Sequence, residues 1–313
     1  MGSWTAEQMG DLSGATVVVT GANSGIGFEA TREFARHGAT VVMACRSVER
    51  GERARTTLLE DDPAGSLTVV ELDLADLDSV RSFAESVRDS ADGLDVLCNN
   101  AGVMAIPRRE TADGFEMQFG VNHLGHFELT GRLLDLLRDS PGESRVVTTS
   151  SETHRGGAID FEDLQHERSY SRWGAYAQSK LANLLFAYEL QRRLDAAAAS
   201  VVSTAVHPGY ADTSLQRRGP EMEGSTLRLQ AMRLANAVFA QSAAKGALPI
   251  LYAATAQALD GGEYVGPGGL FGMRGLPEVG ESSSRSRDRD LARRLWTVSE
   301  DLTGVEYDLP PSG

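Results

Sequence analysis

Lysine is nearly missing from this sequence. Its 313 residues carry 30 basic side chains, yet just two of these, Lys180 and Lys245, are lysines. The 44 acidic residues outweigh them, giving a formal net charge of −14 and a pI of about 4.9. That balance argues against nucleic acid or an anionic membrane as a partner. It fits a highly charged surface suited to salt, or plain coding bias toward Arg, Ala, Gly and Asp. Cysteine is also scarce. Cys45 and Cys98 each end an apolar run, where a cysteine packs as a small hydrophobe. They build neither a disulfide framework nor a zinc spacing, and the six histidines form no ligand pattern, so no metal is expected. No stretch reaches the ~18 apolar residues that span a bilayer. Residues 1–11 are polar and lack the apolar core of a signal peptide. The expectation is a cytoplasmic chain without a membrane span. With 41% hydrophobic residues, no repeat and no linker, residues 1–313 read as one domain.

Apolar β-branched runs alternate with helical periods, the pattern of an α/β fold with a parallel sheet. Residues 15–20 form the first such run. Gly21-Ala22-Asn23-Ser24-Gly25-Ile26-Gly27 follows at once, and a helical period covers 28–37. Gly21 permits a tight turn out of the strand. Gly25 and Gly27 let backbone N–H groups approach a pyrophosphate at the start of a helix. An ordinary strand–helix turn is the plainer alternative. The second strand, 40–45, ends in Cys45-Arg46-Ser47. A carboxylate there would bind the ribose hydroxyls of NAD. Its absence, with Arg46 present and Ser47 beside it, favours the 2′-phosphate of NADP.

A charged helix over 48–60 leads to a third strand over 67–72, then Asp73-Leu74 and a helix over 77–90. Asp73 suits an adenine amino group or a helix cap, and Asp76 suits the cap equally well. The fourth strand, 94–98, runs into Asn99-Asn100-Ala101-Gly102 at the sheet edge where doubly wound folds bind ligands. A long helix over 111–138 carries Asn122, a residue disfavoured in mid-helix. The fifth strand, 144–149, ends in Ser150-Ser151. After a long loop, a helix over 175–194 carries Tyr176 and Lys180, one turn apart on one face. Such a pair is most often a surface pair or a snorkelling neighbour. Here a lysine stands in a chain that avoids lysine, and a nearby ammonium lowers a phenol's pKa toward useful proton transfer. A sixth strand, 200–206, precedes His207-Pro208-Gly209 and Thr213. Residues 212–240 contain no strand and read as a substrate lid. A helix over 242–259 and a final strand over 263–266 follow. From about residue 277 the chain reads as a charged C-terminal extension with one helix over 289–300.

Together, Thr20 through Gly27, Asn99 through Gly102, Asn122, Ser151, Tyr176, Lys180 and Pro208-Gly209 resemble the short-chain dehydrogenase/reductase family over roughly residues 14–270. The strings Val121-Asn122-His123-Leu124-Gly125-His126-Phe127 and Gln178-Ser179-Lys180-Leu181-Ala182-Asn183 are similar to its retinol dehydrogenase and WW-domain-oxidoreductase branch. The resemblance implies a Rossmann-type doubly wound parallel sheet with helices on both faces. It implies an NADP(H)-dependent oxidoreductase for a hydrophobic alcohol, aldehyde or ketone, working as a homo-oligomer. Tyr176 would be the general acid or base and Lys180 its partner on the nicotinamide ribose. Ser151, chosen over Ser150 by its spacing to Tyr176, would bond the substrate oxygen. Asn122 would bend its helix and hold a water linking Lys180 to solvent. Thr213 would touch the carboxamide. A dinucleotide-binding regulator or scaffold that kept the fold without the chemistry is the alternative.

Overall fold

The computed structural model describes residues 4–209, 241–269 and 272–312. Val17, Val18 and Val19 are all fully buried, which a strand allows only when both its faces are covered. Val18 joins one apolar core while Val17 and Val19 join the other, following the two-residue alternation of a pleated strand. This strand, β1 (Thr16–Thr20), lies between β2 (Thr40–Cys45) and β4 (Val96–Asn99). The sheet continues with β3 (Ser66–Glu71), β5 (Ser144–Thr149), β6 (Val201–Val206), β7 (Tyr264–Pro267) and β8 (Pro277–Gly280). The strand order is β3-β2-β1-β4-β5-β6-β7-β8, parallel throughout except for β8. The order reverses between β1 and β4, and ligands bind such sheets at that crevice.

Helices cover both faces. α1 (Gly25–Arg36), α2 (Val48–Leu59) and α6 (Ala243–Thr255) bury Phe34, Leu58 and Ile250 against one face. α3 (Leu77–Ser90), α4 (Gly125–Asp139) and α5 (Arg172–Ala196) bury Phe83, Leu133 and Phe186 against the other. This is the expected doubly wound architecture.

Three elements differ from expectation. The helix expected from 111 begins at Met117. Asp113-Gly114 makes a left-handed turn there, with Gly114 at φ 83°, while Thr111 and Phe115 pair across it. The same helix widens into a π turn over Gly120–Leu124 before α4. The strand expected as the last is followed by β8, which pairs antiparallel with β7. The segment beyond β8 is no loose appendage. α7 (Arg289–Thr303) lays Trp296 on Phe186 with ring centroids 5.8 Å apart, and Tyr307 Oη donates to Phe127 O at 2.6 Å. The expected lid over 212–240 lies outside the described residues.

Candidate active site

The glycine turn is shaped for close approach. Gly21 and Gly25 hold φ of 70° and 58°, a region where side chains are strained. A Cβ on Gly27 would stand 2.5 Å from Gly21 O and 2.6 Å from Asn100 Nδ2. Ser24 occupies the N-cap of α1, yet its side chain caps nothing, and among the described residues no side chain accepts from the first-turn N–H groups. Ser24 is exposed and Asn23 and Ile26 are half-buried around it. Unclaimed backbone donors at a helix start, in a turn too tight for side chains, fit a pyrophosphate.

The β1 and β4 ends are latched together. Asn100 Nδ2 donates to Thr20 O at 2.8 Å, and the N–H groups of Asn100 and Ala101 both donate to Thr20 Oγ1 at 2.9 Å. Asn99 points elsewhere: it is buried and its Nδ2 donates to Thr130 Oγ1 at 2.9 Å. Its side chain therefore does not face the edge expected to hold a cofactor. At the β2 end, Cys45 is buried and free, while Arg46 is exposed and forms no ion pair with the described residues. Ser47 is the N-cap of α2, accepting from Arg50 N at 3.3 Å. Asp76, not Asp73, caps α3. Asp73 is half-buried and accepts from Ala75 N at 3.0 Å, and Leu74 is buried beneath α4, where a Cβ on Gly125 would meet Leu74 O at 2.7 Å. Pro208 O accepts from Gln241 Nε2 at 2.6 Å, and Gly209 holds φ of 66° beside it. Thr213 lies outside the described residues.

α5 brings the proton-handling groups to the same edge. Lys180 Nζ donates to Thr149 O at 3.0 Å, and Asn183 Nδ2 donates to the same oxygen at 2.9 Å. Lys180 Nζ stands 5.8 Å from the centre of the Tyr176 ring. A Cβ on Gly102 would lie 2.9 Å from Asn122 Oδ1 and 3.7 Å from Lys180 Nζ, so the Asn99–Gly102 turn abuts this pair. Asn122, in the π turn, accepts from Val103 N at 2.8 Å and donates to Val103 O and Ser179 Oγ, both at 2.9 Å. The two serines separate cleanly. Ser150 is buried and donates to Lys180 O at 2.7 Å, whereas Ser151 is half-buried, accepts from Thr153 N at 3.3 Å and lies close enough to Tyr176 to act on its phenol.

One electrostatic expectation is corrected. Burial pushes the Tyr176 phenol up to about 12, with the neighbouring Ser151 hydroxyl opposing it in part. Burial also brings Lys180 down to about 8. Both groups are withdrawn from water, so each charged form is penalised, and desolvation outweighs any lowering of the phenol by the lysine.

Several participants escaped the sequence reading. Ser179 joins the π turn to Tyr176, accepting from Asn122 and donating to Tyr176 O at 2.8 Å. His154 Nδ1 donates to Ser151 O at 2.7 Å while its Nε2 accepts from Ser283 N at 3.1 Å. Ser179 and Asn183 sit in a string already singled out, but nothing local marks His154, because its partner is far along the chain. Among the described residues, no acid, histidine and cysteine group could hold a metal, and no helix is long and apolar enough to cross a membrane.

A family model described as short chain dehydrogenase matches residues 15–224. Human Retinol dehydrogenase 12 is 43% identical over 299 residues, covering 95% of this chain and 89% of that protein. Mouse Retinol dehydrogenase 14 is 40% identical over 308 residues, covering 95% and 88%. A crystal structure of an uncharacterised protein from Mycobacterium Paratuberculosis matches with a TM-score of 0.80 at 45% identity, over 98% of this chain and all of that one. The L-sorbose reductase of Gluconobacter frateurii, solved with NADPH and L-sorbose, shares the fold, with a TM-score of 0.64 at 22% identity over 82% of this chain and 95% of that one. A dinucleotide-shaped turn, a buried Tyr–Lys pair at the edge it faces and this degree of likeness along nearly the whole length have one common explanation: the chain belongs to the short-chain dehydrogenase family, as an oxidoreductase of its retinol dehydrogenase-like branch.

Proposed function

We propose that the chain is an NADP(H)-dependent oxidoreductase that interconverts a hydrophobic alcohol with its aldehyde or ketone. The observation that carries this reading is the meeting of Ser151, Tyr176 and Lys180 with Gly102 and Asn122 beside the glycine turn. A bound nicotinamide would supply or accept the hydride. Ser151 would donate a hydrogen bond to the substrate oxygen, where charge develops. Tyr176, protonated at neutral pH in this geometry, is ready to give its proton to that oxygen in carbonyl reduction. Lys180, brought down to about 8, would sit beside it as a group able to exchange protons near neutral pH. The Asn100–Gly102 turn and Gly21 through Gly27 would hold the dinucleotide, with Asp73 and Leu74 near the adenine and Pro208-Gly209 near the nicotinamide.

Two features support the finer reading. Arg46 is exposed at the β2 end and forms no ion pair with the described residues, which suits a 2′-phosphate. Trp173 is 57% exposed one turn before Tyr176, its ring edge-on to the phenol with centroids 6.1 Å apart, which suits an apolar substrate. The relatives named for retinol point the same way.

The test is oxidation of NADPH and of NADH with all-trans-retinal, a medium-chain aldehyde and a sugar ketone. Turnover of the apolar carbonyls with NADPH at least about tenfold faster than with NADH is expected, one charge-assisted contact accounting for that factor. Tight NADPH binding with no turnover of any carbonyl would instead support the regulator or scaffold reading.

A further inference from the structure

Two buried histidines lie within and just beyond the π turn, and they do different things. His123 packs among Phe119, Phe127 and Phe186, and its Nε2 meets Ser299 Oγ at 2.9 Å. It belongs to the core. His126 lies between the two parts of the candidate site. Its Nδ1 is 3.1 Å from Asn122 O. A carbonyl oxygen only accepts, so Nδ1 carries the hydrogen. Burial brings His126 down to about 4, so the ring is neutral and Nε2 is bare. Nε2 lies 3.0 Å from Thr20 Oγ1. That oxygen already accepts two hydrogen bonds, from Asn100 N and Ala101 N, so its single hydrogen must be donated. Cys98 O, at 3.2 Å, is the more distant acceptor. Nε2 can only accept, so the shorter contact places the Thr20 hydrogen on His126, with Cys98 O as the alternative acceptor. The backbone of Asn100 and Ala101 donates to Thr20, Thr20 donates to His126, and His126 donates to Asn122.

We infer that His126 is a positioning residue that joins the Asn100–Gly102 turn to the π turn holding Asn122 next to Lys180. The inference rests on reading those two elements as the cofactor and proton-transfer sides of one site. Each end of the imidazole serves one side, so the two services are separable by substitution.

In His126→Asn the amide takes the place of Nδ1, keeping the donor to Asn122 O and losing Thr20. In His126→Gln the longer amide reaches Thr20 and gives up Asn122 O. His126→Asn is expected to raise the NADPH dissociation constant about tenfold with kcat within about threefold, for loss of one buried hydrogen bond. His126→Gln is expected to do the reverse, lowering kcat about tenfold and leaving the dissociation constant within about threefold. Binding is read by NADPH fluorescence, and kcat with all-trans-retinal at saturating NADPH. In a Thr20→Val background, His126→Asn should weaken NADPH binding no further. Parallel loss of binding and rate in both variants, or loss in neither, would overturn the inference. Should one variant fail to fold, the other decides, because a packing defect moves both quantities together. If the wild type turns over no carbonyl, the function reading fails while the binding measurements still judge His126.

Discussion

The two sides of the candidate site are made of different material. Around β1 and α1 the working groups belong to the backbone: N–H groups at a helix start, held open by glycines and by a cap residue that does not cap. Around α5 they are mostly buried side chains, and several have assigned partners, such as Lys180 on Thr149 O and Asn122 on Val103. A backbone site recognises a shape and needs no titrating group. A buried side-chain site has its proton affinities set by burial, and it resists small changes where its polar atoms already have partners.

If that division is real, substitutions should affect one side at a time. The largest effect belongs to Tyr176→Phe, which should lower turnover by about 10²–10⁴-fold, the usual worth of a positioned acid or base. NADPH affinity, followed by fluorescence titration, should hold steady, and a parallel loss of affinity would break the comparison. Gly27→Ala strikes the other side. Its methyl would meet Gly21 O and Asn100 Nδ2 at contact-forbidding distances. Overpacking of this kind costs about 1–3 kcal/mol, and NADPH binding should weaken accordingly while kcat at saturation survives. Arg46→Ala is narrower still. Loss of a charge-assisted bond of about 1.5–3 kcal/mol should fall on NADPH and spare NADH, without a change in thermal stability. Equal loss for both cofactors would remove Arg46 as the selector.

Acid should act on the buried side first. Burial brings His123 down to about 3 and His126 to about 4 from an ordinary 6.5. As pH falls below 6.5 the unfolded chain takes up protons that the folded chain refuses, so stability falls from there toward pH 4. These two rings should cost about 1 kcal/mol between pH 7 and pH 6, read by urea unfolding at each pH. A flat profile would mean that the rings are hydrated. The smallest effect belongs to Ser47→Ala, where losing the α2 cap should cost about 1 kcal/mol of stability and leave NADPH affinity alone. A weaker NADPH affinity would return Ser47 to the phosphate site.

The same division governs what could be read from the sequence. Glycine spacing and β-branched runs are local signals, so β1, its turn and α1 were legible as a unit. The Tyr–Lys pair was legible as spacing and as a family resemblance, but its proton affinities were not, because burial is a property of the packed chain. The π turn left no periodic trace, since all five of its residues are buried and polar and apolar side chains are mixed among them. β8 was hidden for the opposite reason. It is an edge strand in which Glu278, Val279 and Gly280 are exposed, so no apolar run announces it. Ser151 and Tyr176 could be paired by spacing, whereas the contact of His154 with Ser283 joins segments with no common motif.

That last contact has a consequence for the chain during its synthesis. Ribosomes emit the N-terminal elements first, at about 5–20 residues per second. β1 to β6, α1 to α5 and both catalytic candidates on α5 emerge before the residues that back them. Ser283 reaches His154, Trp296 reaches Phe186 and Tyr307 reaches Phe127 only near the end of translation. A nascent chain stalled short of residue 283 would own every residue of the proposed chemistry and still lack the support behind Ser151. Stalled chains released at successive lengths should bind NADPH before they can reduce a carbonyl, with the interval between the two marking when the C-terminal segment docks.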